Sequence, residues 1–334
     1  MKKIAVALLA LATMSIAYTG CKKESGAGGV TKGMDRKIVM GYSQIGAESE
    51  WRNGNTRSVQ DAAKEWNVDL RFSDAMQKQE NQIQAIRTFI RQKVDIIAFS
   101  PVVESGWEVV LQEAKAANIP VICVDRTIDQ GKESDLFTCF IGSDFVLEGE
   151  RAAEWLVGHM DKTGNGGKNP INIVELQGTV GSAPANDRME GFKNVISKHP
   201  NYKIIRTQTG NFTRAEGKQV MEAFLKSDGA NIHVLYSHND DMAIGAIQAI
   251  EEFGRKPGTD IIVVSIDGVK GAFEAMIAGK LNASIECNPV IGPQIMDAAV
   301  KILLGQEVPK WILSEEGVFD QSNAEAAFPT RLYY

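Results

Sequence analysis

Four polar residues in succession, His238-Asn239-Asp240-Asp241, interrupt an otherwise apolar stretch over residues 233–250. A β-rich run (Val234, Leu235, Tyr236) precedes them. After them, apolar side chains at Met242, Ile244, Ile247 and Ile250 recur every two to three residues, which predicts an amphipathic helix. At the carboxyl end of a strand in an open α/β sheet, side chains face a crevice and not a core, and ligands sit there. The same pattern recurs along the chain. Apolar runs end in Gln44 and the loop GAESEWR (46–52), in Asp74, in Asp125-Arg126, in Gln177-Gly178-Thr179, in Asp267-Gly268 and in Cys287-Asn288-Pro289. Asp and Asn bond in fixed planes, and Arg offers a planar fork of donors. Such groups suit the adjacent hydroxyls of a sugar, each of which donates and accepts at once. Trp51 adds an apolar face on which the C–H side of a sugar ring can lie.

Each of these residues also has an ordinary structural use. Asp240 or Asp241 would serve as a helix N-cap, and Trp51 as a core residue at a helix start. Arg52 and Arg188 would serve as surface salt-bridge partners, and Asp125-Arg126 as an ion pair at a strand end. Support for catalysis is thin. The chain has no GxSxG, HExxH or GxGxxG, and His159, His199, His233 and His238 stand in unrelated contexts. Asp125 and Asp267 are carboxylates of the kind that hydrolyse glycosides, but nothing in the sequence sets their separation. The expectation is a binding protein with no catalytic residue, no cofactor and no metal. Beyond Cys21, the cysteines Cys123, Cys139 and Cys287 show no metal-ligand spacing. Cys123 and Cys139 lie in β-like runs and read as buried thiols, with a bridge open to them in an oxidising compartment.

Positioning these residues requires alternating strands and helices. Strands are expected at 38–43, 68–73, 96–100, 121–124 and 137–142, then at 171–176, 202–207, 233–237, 261–266 and 283–286. Helices lie between them, for example at 80–92, with Ile83, Ile86, Phe89 and Ile90 on one stripe, and at 145–159. That alternation predicts an α/β, doubly wound parallel sheet, used twice. With 334 residues the chain suits two lobes, and 44% hydrophobic with 23% charged residues is a globular composition. The Gly-rich loop GNGGK (164–168) lacks the frame of a phosphate-binding loop and reads as a surface turn. The formal net charge is −6, or −8 once the two charges of Lys2 and Lys3 are removed, which argues against nucleic acid or an anionic membrane surface as partner.

Lys2-Lys3 followed by an apolar stretch at 4–17, too short to span a bilayer, reads as an export signal. Residues 18–21 (YTGC) are similar to a lipobox, with Tyr18 in place of the usual Leu. The expectation is therefore a signal peptide over 1–21 with Cys21 as lipidation site, and a flexible tether over 22–36.

The residues together resemble a family. SQIGAESEWR (43–52), QKQENQIQAIRTFI (77–90), VDR (124–126), ELQGTVGS with NDRMEGF (175–192), GNFTRAEGKQVME (210–222), SHNDDMAIGAIQAI (237–250) and SIDG (265–268) are similar to the periplasmic sugar-binding proteins of ABC importers, the ribose/galactose-binding type. The loop with Trp51-Arg52, with SHNDDM and GNFTR, is closer to the galactofuranose-binding branch. The resemblance runs from about residue 37 to the C-terminus. It implies two Rossmann-like lobes (periplasmic binding protein type I), 37–143 plus 287–316 and 144–286 plus 317–334, joined by a three-crossing hinge near 143–144, 287–288 and 316–317. It implies a monosaccharide, galactofuranose or a related furanose, held by Ser49, Trp51, Arg52, Asp125 and Arg126 from the first lobe. Arg188, Phe212, Asn239 and Asp267 would hold it from the second, with Glu286 or Asn288 replacing a hinge glutamine. The implied partners are a permease and its ATPase, with a chemotaxis or sensor-kinase partner as the alternative and a sugar-responsive repressor core as a weaker one. The implied state is a monomer at the periplasmic or extracytoplasmic face, touching membrane only through its lipid.

Overall fold

The computed structural model describes residues 29–129 and 135–331. The expected signal peptide, Cys21 and residues 22–28 of the expected tether lie outside the described residues.

Buried apolar runs form the centre of each sheet. The strands β1 (Val39–Gln44), β2 (Asp69–Asp74), β3 (Ile96–Phe99), β4 (Val121–Val124) and β5 (Cys139–Gly142) share a sheet with β11 (Trp311–Leu313). Its order is β2-β1-β3-β4-β5-β11 and every pairing is parallel. The second sheet holds β6 (Ile171–Gln177), β7 (Tyr202–Thr209), β8 (Val234–Ser237), β9 (Ile262–Asp267), β10 (Ala283–Glu286) and β12 (Val318–Asp320). Its order, β7-β6-β8-β9-β10-β12, repeats the first, except that β12 runs antiparallel to β10. The doubly wound, two-lobed architecture is the one expected. Strand order reverses between β1 and β3 and between β6 and β8, and there the carboxyl ends of neighbouring strands open a crevice. Strands β3 and β4 are buried along their whole length, as a strand covered on both faces must be.

The helices are α1 (Glu50–Glu65), α2 (Gln79–Arg91), α3 (Glu108–Ala116), α4 (Phe145–Lys162), α5 (Ala183–Ile196), α6 (Arg214–Asp228), α7 (Asp240–Glu252), α8 (Lys270–Ile277), α9 (Gly292–Leu303) and α10 (Ala324–Ala327). On α2 the stripe is as expected: Ile86 and Phe89 are buried, with Ile83 and Ile90 half-buried beside them. The short strands β11 and β12 have no counterpart in the sequence expectations. Each is three residues long and only partly buried, so periodicity has nothing to act on. The chain passes between the sheets three times: from β5 to α4, from β10 to α9, and from β11 to β12. Cys123, Cys139 and Cys287 are buried free thiols, so the bridge left open for Cys123 and Cys139 is not formed.

Close packing of α4 on α5 fixes the position of Arg188. A Cβ on Gly191 would lie 1.9 Å from the Val146 carbonyl oxygen, and one on Gly149 would lie 2.4 Å from that of Arg188. The two helices approach at backbone distance because neither position carries a side chain. By contrast, a Cβ on Gly158, also in α4, meets nothing within 4 Å. Gly191→Ala is therefore expected to cost at least about 2 kcal/mol through overpacking. Gly158→Ala is expected to gain about 0.5–1 kcal/mol from helix propensity. Chemical denaturation of the two variants checks this, and equal effects would show that the α4–α5 contact is not tight.

Candidate functional site

The loop after β1 and the start of α1 bring a cation into the cleft. Ser49 caps α1, its Oγ accepting from the Arg52 N–H at 3.1 Å. Arg52 is buried, and it donates to Asp125 Oδ2 at 2.7 Å, to Glu48 Oε1 at 3.1 Å and to Gln44 Oε1 at 3.3 Å. Burial works against its charge, but Asp125 and Glu48 outweigh that and hold it above the ordinary arginine value. The Asp125 carboxylate thus belongs to Arg52. Its neighbour Arg126 lies 3.9 Å away, so the expected Asp125–Arg126 pair is the weaker of the two. Asp125 sits at φ +63°, a left-handed backbone that turns its side chain from the end of β4 into the crevice.

Arg126 is the poorly satisfied member. It donates to the Val102 carbonyl at 3.0 Å, but its buried Nε has no hydrogen-bond partner. Burial, reinforced by the positive charge of Arg52, pulls it down to about 10. Its guanidinium lies 5.2 Å from the ring centre of Phe212, on the opposite lobe. Glu48 Oε2 is likewise buried without a hydrogen-bond partner.

In the second lobe Arg188 is clamped. It donates to Glu148 Oε2 at 2.7 Å and to the His238 carbonyl at 2.6 Å, with Asp267 Oδ1 at 3.6 Å. Glu148 is the main reason it stays charged despite burial. Asp267, at the end of β9, is pushed well above the usual carboxylate range by burial, with Arg188 opposing. Phe212 (φ +63°) lies across Gly178: a Cβ there would fall 1.9 Å from the ring, so the ring's place requires glycine. Asn239 caps α7, accepting from the Met242 N–H at 3.0 Å, and its Nδ2 donates to the Phe212 carbonyl at 3.1 Å.

Neither Asp240 nor Asp241 is therefore the cap. Buried Asp240 accepts from the hydroxyls of Ser265 and Ser284 and from the Val269 N–H, tying α7 to β9, β10 and α8. Asp241 accepts from Arg214 at 2.8 Å and, across the cleft, from the Glu50 N–H at 2.7 Å. The Glu104 N–H donates to the Gly181 carbonyl at 2.9 Å, and Asn186 Nδ2 to Glu104 Oε2 at 2.6 Å, so the cleft is closed on two sides. Trp51 belongs to α1, yet it packs against the second lobe's core and donates from Nε1 to the Cys287 carbonyl at 2.6 Å.

These groups surround a small cavity, lined by Ser49, Trp51, Arg52, Asp125, Arg126, Arg188, Phe212, Asn239 and Asp267, with Glu48, Pro184 and Cys287. Two expected residues stand apart. Glu286 accepts from Arg331 at 2.5 Å and from the Gly317 N–H at 2.8 Å, and Asn288 Oδ1 turns back to the Val290 N–H at 2.9 Å. The residue between them, Cys287, reaches the cavity, because alternate side chains leaving a strand face opposite ways. Glu48 and Pro184 escaped the sequence reading. Glu48 stands four residues before Arg52, a spacing that was available as a signal. Pro184 offers no chemical signature. With three guanidinium and three carboxyl groups around it the cavity offers both donors and acceptors, which suits a polyhydroxylated ligand.

A family model described as a periplasmic binding protein domain matches residues 40–307. The chain is 49% identical over 266 residues to the galactofuranose-binding protein YtfQ of Escherichia coli (strain K12), covering 79% of this chain and 81% of the relative. It superposes with a TM-score of 0.85 on a Mycobacterium smegmatis protein in complex with β-D-fucofuranose, at 50% identity over 89% of this chain and 95% of that one. A galactofuranose-binding protein of known structure superposes equally well (TM-score 0.85), with 44% identity over 89% of this chain and all of the other.

The Arg188–Glu148 contact makes its own prediction. Removing the guanidinium in Arg188→Met leaves a buried carboxylate without its counter-charge, which is expected to cost about 3–5 kcal/mol at pH 7. Burial already raises the proton affinity of Glu148. A carboxyl whose proton affinity rises on folding destabilises at pH above its unfolded value, and the penalty lifts as pH falls toward that value. Denaturation of the variant at pH 8 and pH 5 should show the smaller loss at pH 5, and an equal loss would contradict the pairing.

Proposed function

We propose, starting from the fact that the chain belongs to the periplasmic binding protein family, that it is the receptor of an ABC importer for a monosaccharide in furanose form. The sugar of choice is galactofuranose or a close relative of it. The observation that carries this reading is the pair of buried, unsatisfied polar atoms, Arg126 Nε and Glu48 Oε2, on residues that line the cavity beside Phe212 and Trp51. A buried polar atom without a partner costs about 1–3 kcal/mol, and sugar hydroxyls would relieve it. The relatives known to bind galactofuranose and β-D-fucofuranose support that choice.

In this reading Arg52, Asp125 and Arg126 hold the hydroxyls from one side, and Arg188, Asn239 and Asp267 from the other, with Ser49 at the rim. Phe212 and Trp51 take the apolar faces. The lobes are 37–143 plus 287–316 and 144–286 plus 317–334. Sugar contacts from both lobes exist only when the cleft is shut, so the ligand shifts the population toward the closed form, and the permease reads that form. A wrong stereoisomer leaves buried groups unpaired, which is how a few ionic side chains discriminate. The polar lining does no chemistry on the sugar. No helix among the described residues is long and apolar enough to cross a membrane. We place the protein in the periplasm, exported by its signal peptide and held to the membrane by a lipid on Cys21.

A thermal-shift screen against pentoses, hexoses and sugar acids, with D-galactose included for its furanose fraction, tests the reading. A ligand that binds only the native state raises Tm with concentration. D-galactose is expected to do so for the parent, and Arg126→Ala and Asp267→Ala are expected to abolish the shift while retaining the fold. No shift from any sugar would overturn the receptor reading, and unchanged affinity in both variants would overturn the site.

A further inference from the structure

The three crossings between the lobes meet at one cluster of side chains. Ser143, in the first, bonds to Glu316, in the third, and its Oγ lies 3.4 Å from Cys287 Sγ, in the second. The Asn288 N–H donates to Glu316 Oε1 at 3.3 Å. Glu148, from the first turn of α4, completes the group: a carboxylate oxygen of Glu148, one of Glu316 and the Cys287 sulfur lie within 4.8 Å of one another. Glu148 is fully buried. One of its oxygens is bonded to Arg188, and beyond that the carboxylate has only the weak donor of the Cys287 thiol.

Two carboxyl groups this close and this dry do not both ionise without cost. The charged and titratable groups around them are few. Arg188 faces Glu148 from α5, the Arg151 guanidinium reaches only the Glu316 carbonyl at 3.4 Å, and Asp267 and Asp125 add negative charge from the cavity side. Arg188 is already bonded to Glu148, so nothing equivalent compensates Glu316.

We infer that the hinge is a proton-binding site: in the closed state Glu148 and Glu316 hold one proton between them, and opening of the cleft releases it. This rests on the receptor reading of the cleft, and it makes sugar capture a proton-uptake event. Burial, and after it the charge of Glu148, pushes Glu316 up to about 9 in the closed state. Water entering an open hinge would return it toward the ordinary carboxylate value, near 4.3. Between those limits the closed form binds more protons than the open form, so closure weakens as pH rises and is insensitive to pH outside them. Glu316 is a positioning residue here. It touches no sugar and acts through Glu148 on Arg188.

The test is calorimetric titration of D-galactose into the protein at pH 6 to 9.5, in buffers of different ionisation enthalpy. The expected result is uptake of close to one proton per sugar near pH 7.5, with Kd rising by up to about tenfold per pH unit below pH 9. Glu316→Gln, which mimics the protonated group, should abolish the uptake and flatten the profile. Glu316→Asp, whose shorter carboxyl withdraws from Glu148, should reduce the uptake if the glutamine variant fails to fold. Sugar binding without proton uptake would overturn the proposal, as would unchanged uptake in both variants, which would put the proton on Asp267. Absence of D-galactose binding at every pH would overturn the choice of sugar on which the proposal rests.

Discussion

Three arginines, Arg52, Arg126 and Arg188, lie buried where two sheets turn their carboxyl ends toward each other, and a buried guanidinium stays charged only if carboxylates come with it. That requirement organises the centre of the molecule. Arg52 draws Asp125 and Glu48 out of two different loops, and Arg188 draws Glu148 from α4, with Asp267 nearby. Arg126 receives the least. It has one carbonyl, distant carboxylates and an aromatic ring supplied by the other lobe. The cavity is therefore the place where an otherwise paired ionic lattice is one partner short, which is where the proposed sugar hydroxyls would bond.

The backbone meets this demand at some cost in strain. Asp125, Phe212 and Asp267 all have positive φ, at +63°, +63° and +134°, and all three line the cavity. A non-glycine residue in such conformations costs on the order of 1–3 kcal/mol and persists where the surroundings fix it. Here the fixing contacts are the Arg52 bond to Asp125 and the Asn239 bond to the Phe212 carbonyl. The strain and the ion pairing thus belong to one arrangement, in which the ends of β4 and β9 and the loop after β7 are bent to aim side chains at a common point.

Much of this was legible in the sequence, and for physical reasons. Buried parallel strands announce themselves as apolar runs, so the central strands and their polar tips could be read directly, while the edge strands β2 and β7, largely unburied, were legible from their place in the strand–helix alternation. Strand-tip position and motif resemblance together mark Trp51, Arg52, Asp125, Arg126, Arg188, Phe212, Asn239 and Asp267. What could not be read was the partnering. Whether Asp125 serves Arg52 or Arg126 depends on a left-handed φ. Whether Glu286, Cys287 or Asn288 faces the ligand depends on a pleat of period two. Whether Asn239, Asp240 or Asp241 caps α7 depends on one residue of helix register. The hinge strands β11 and β12 were invisible because each is three residues long and owes its place to tertiary contacts.

The contacts between the lobes outside the cavity include the Glu50–Asp241 and Glu104–Gly181 hydrogen bonds, the Glu104–Asn186 bond, the Glu50–Arg214 ion pair at 3.6 Å and the Trp51 indole on the hinge carbonyl. The Glu104–Asn186 bond is exposed and the Glu50–Arg214 pair half-exposed, so water competes with both and the cleft without a ligand is expected to be held shut only weakly. Small-angle X-ray scattering of the protein, free and saturated with D-galactose, tests that claim most directly. A smaller radius of gyration is expected with sugar, the saturated profile matching the closed structure and the free profile a more open one. Identical profiles with and without bound sugar would contradict it.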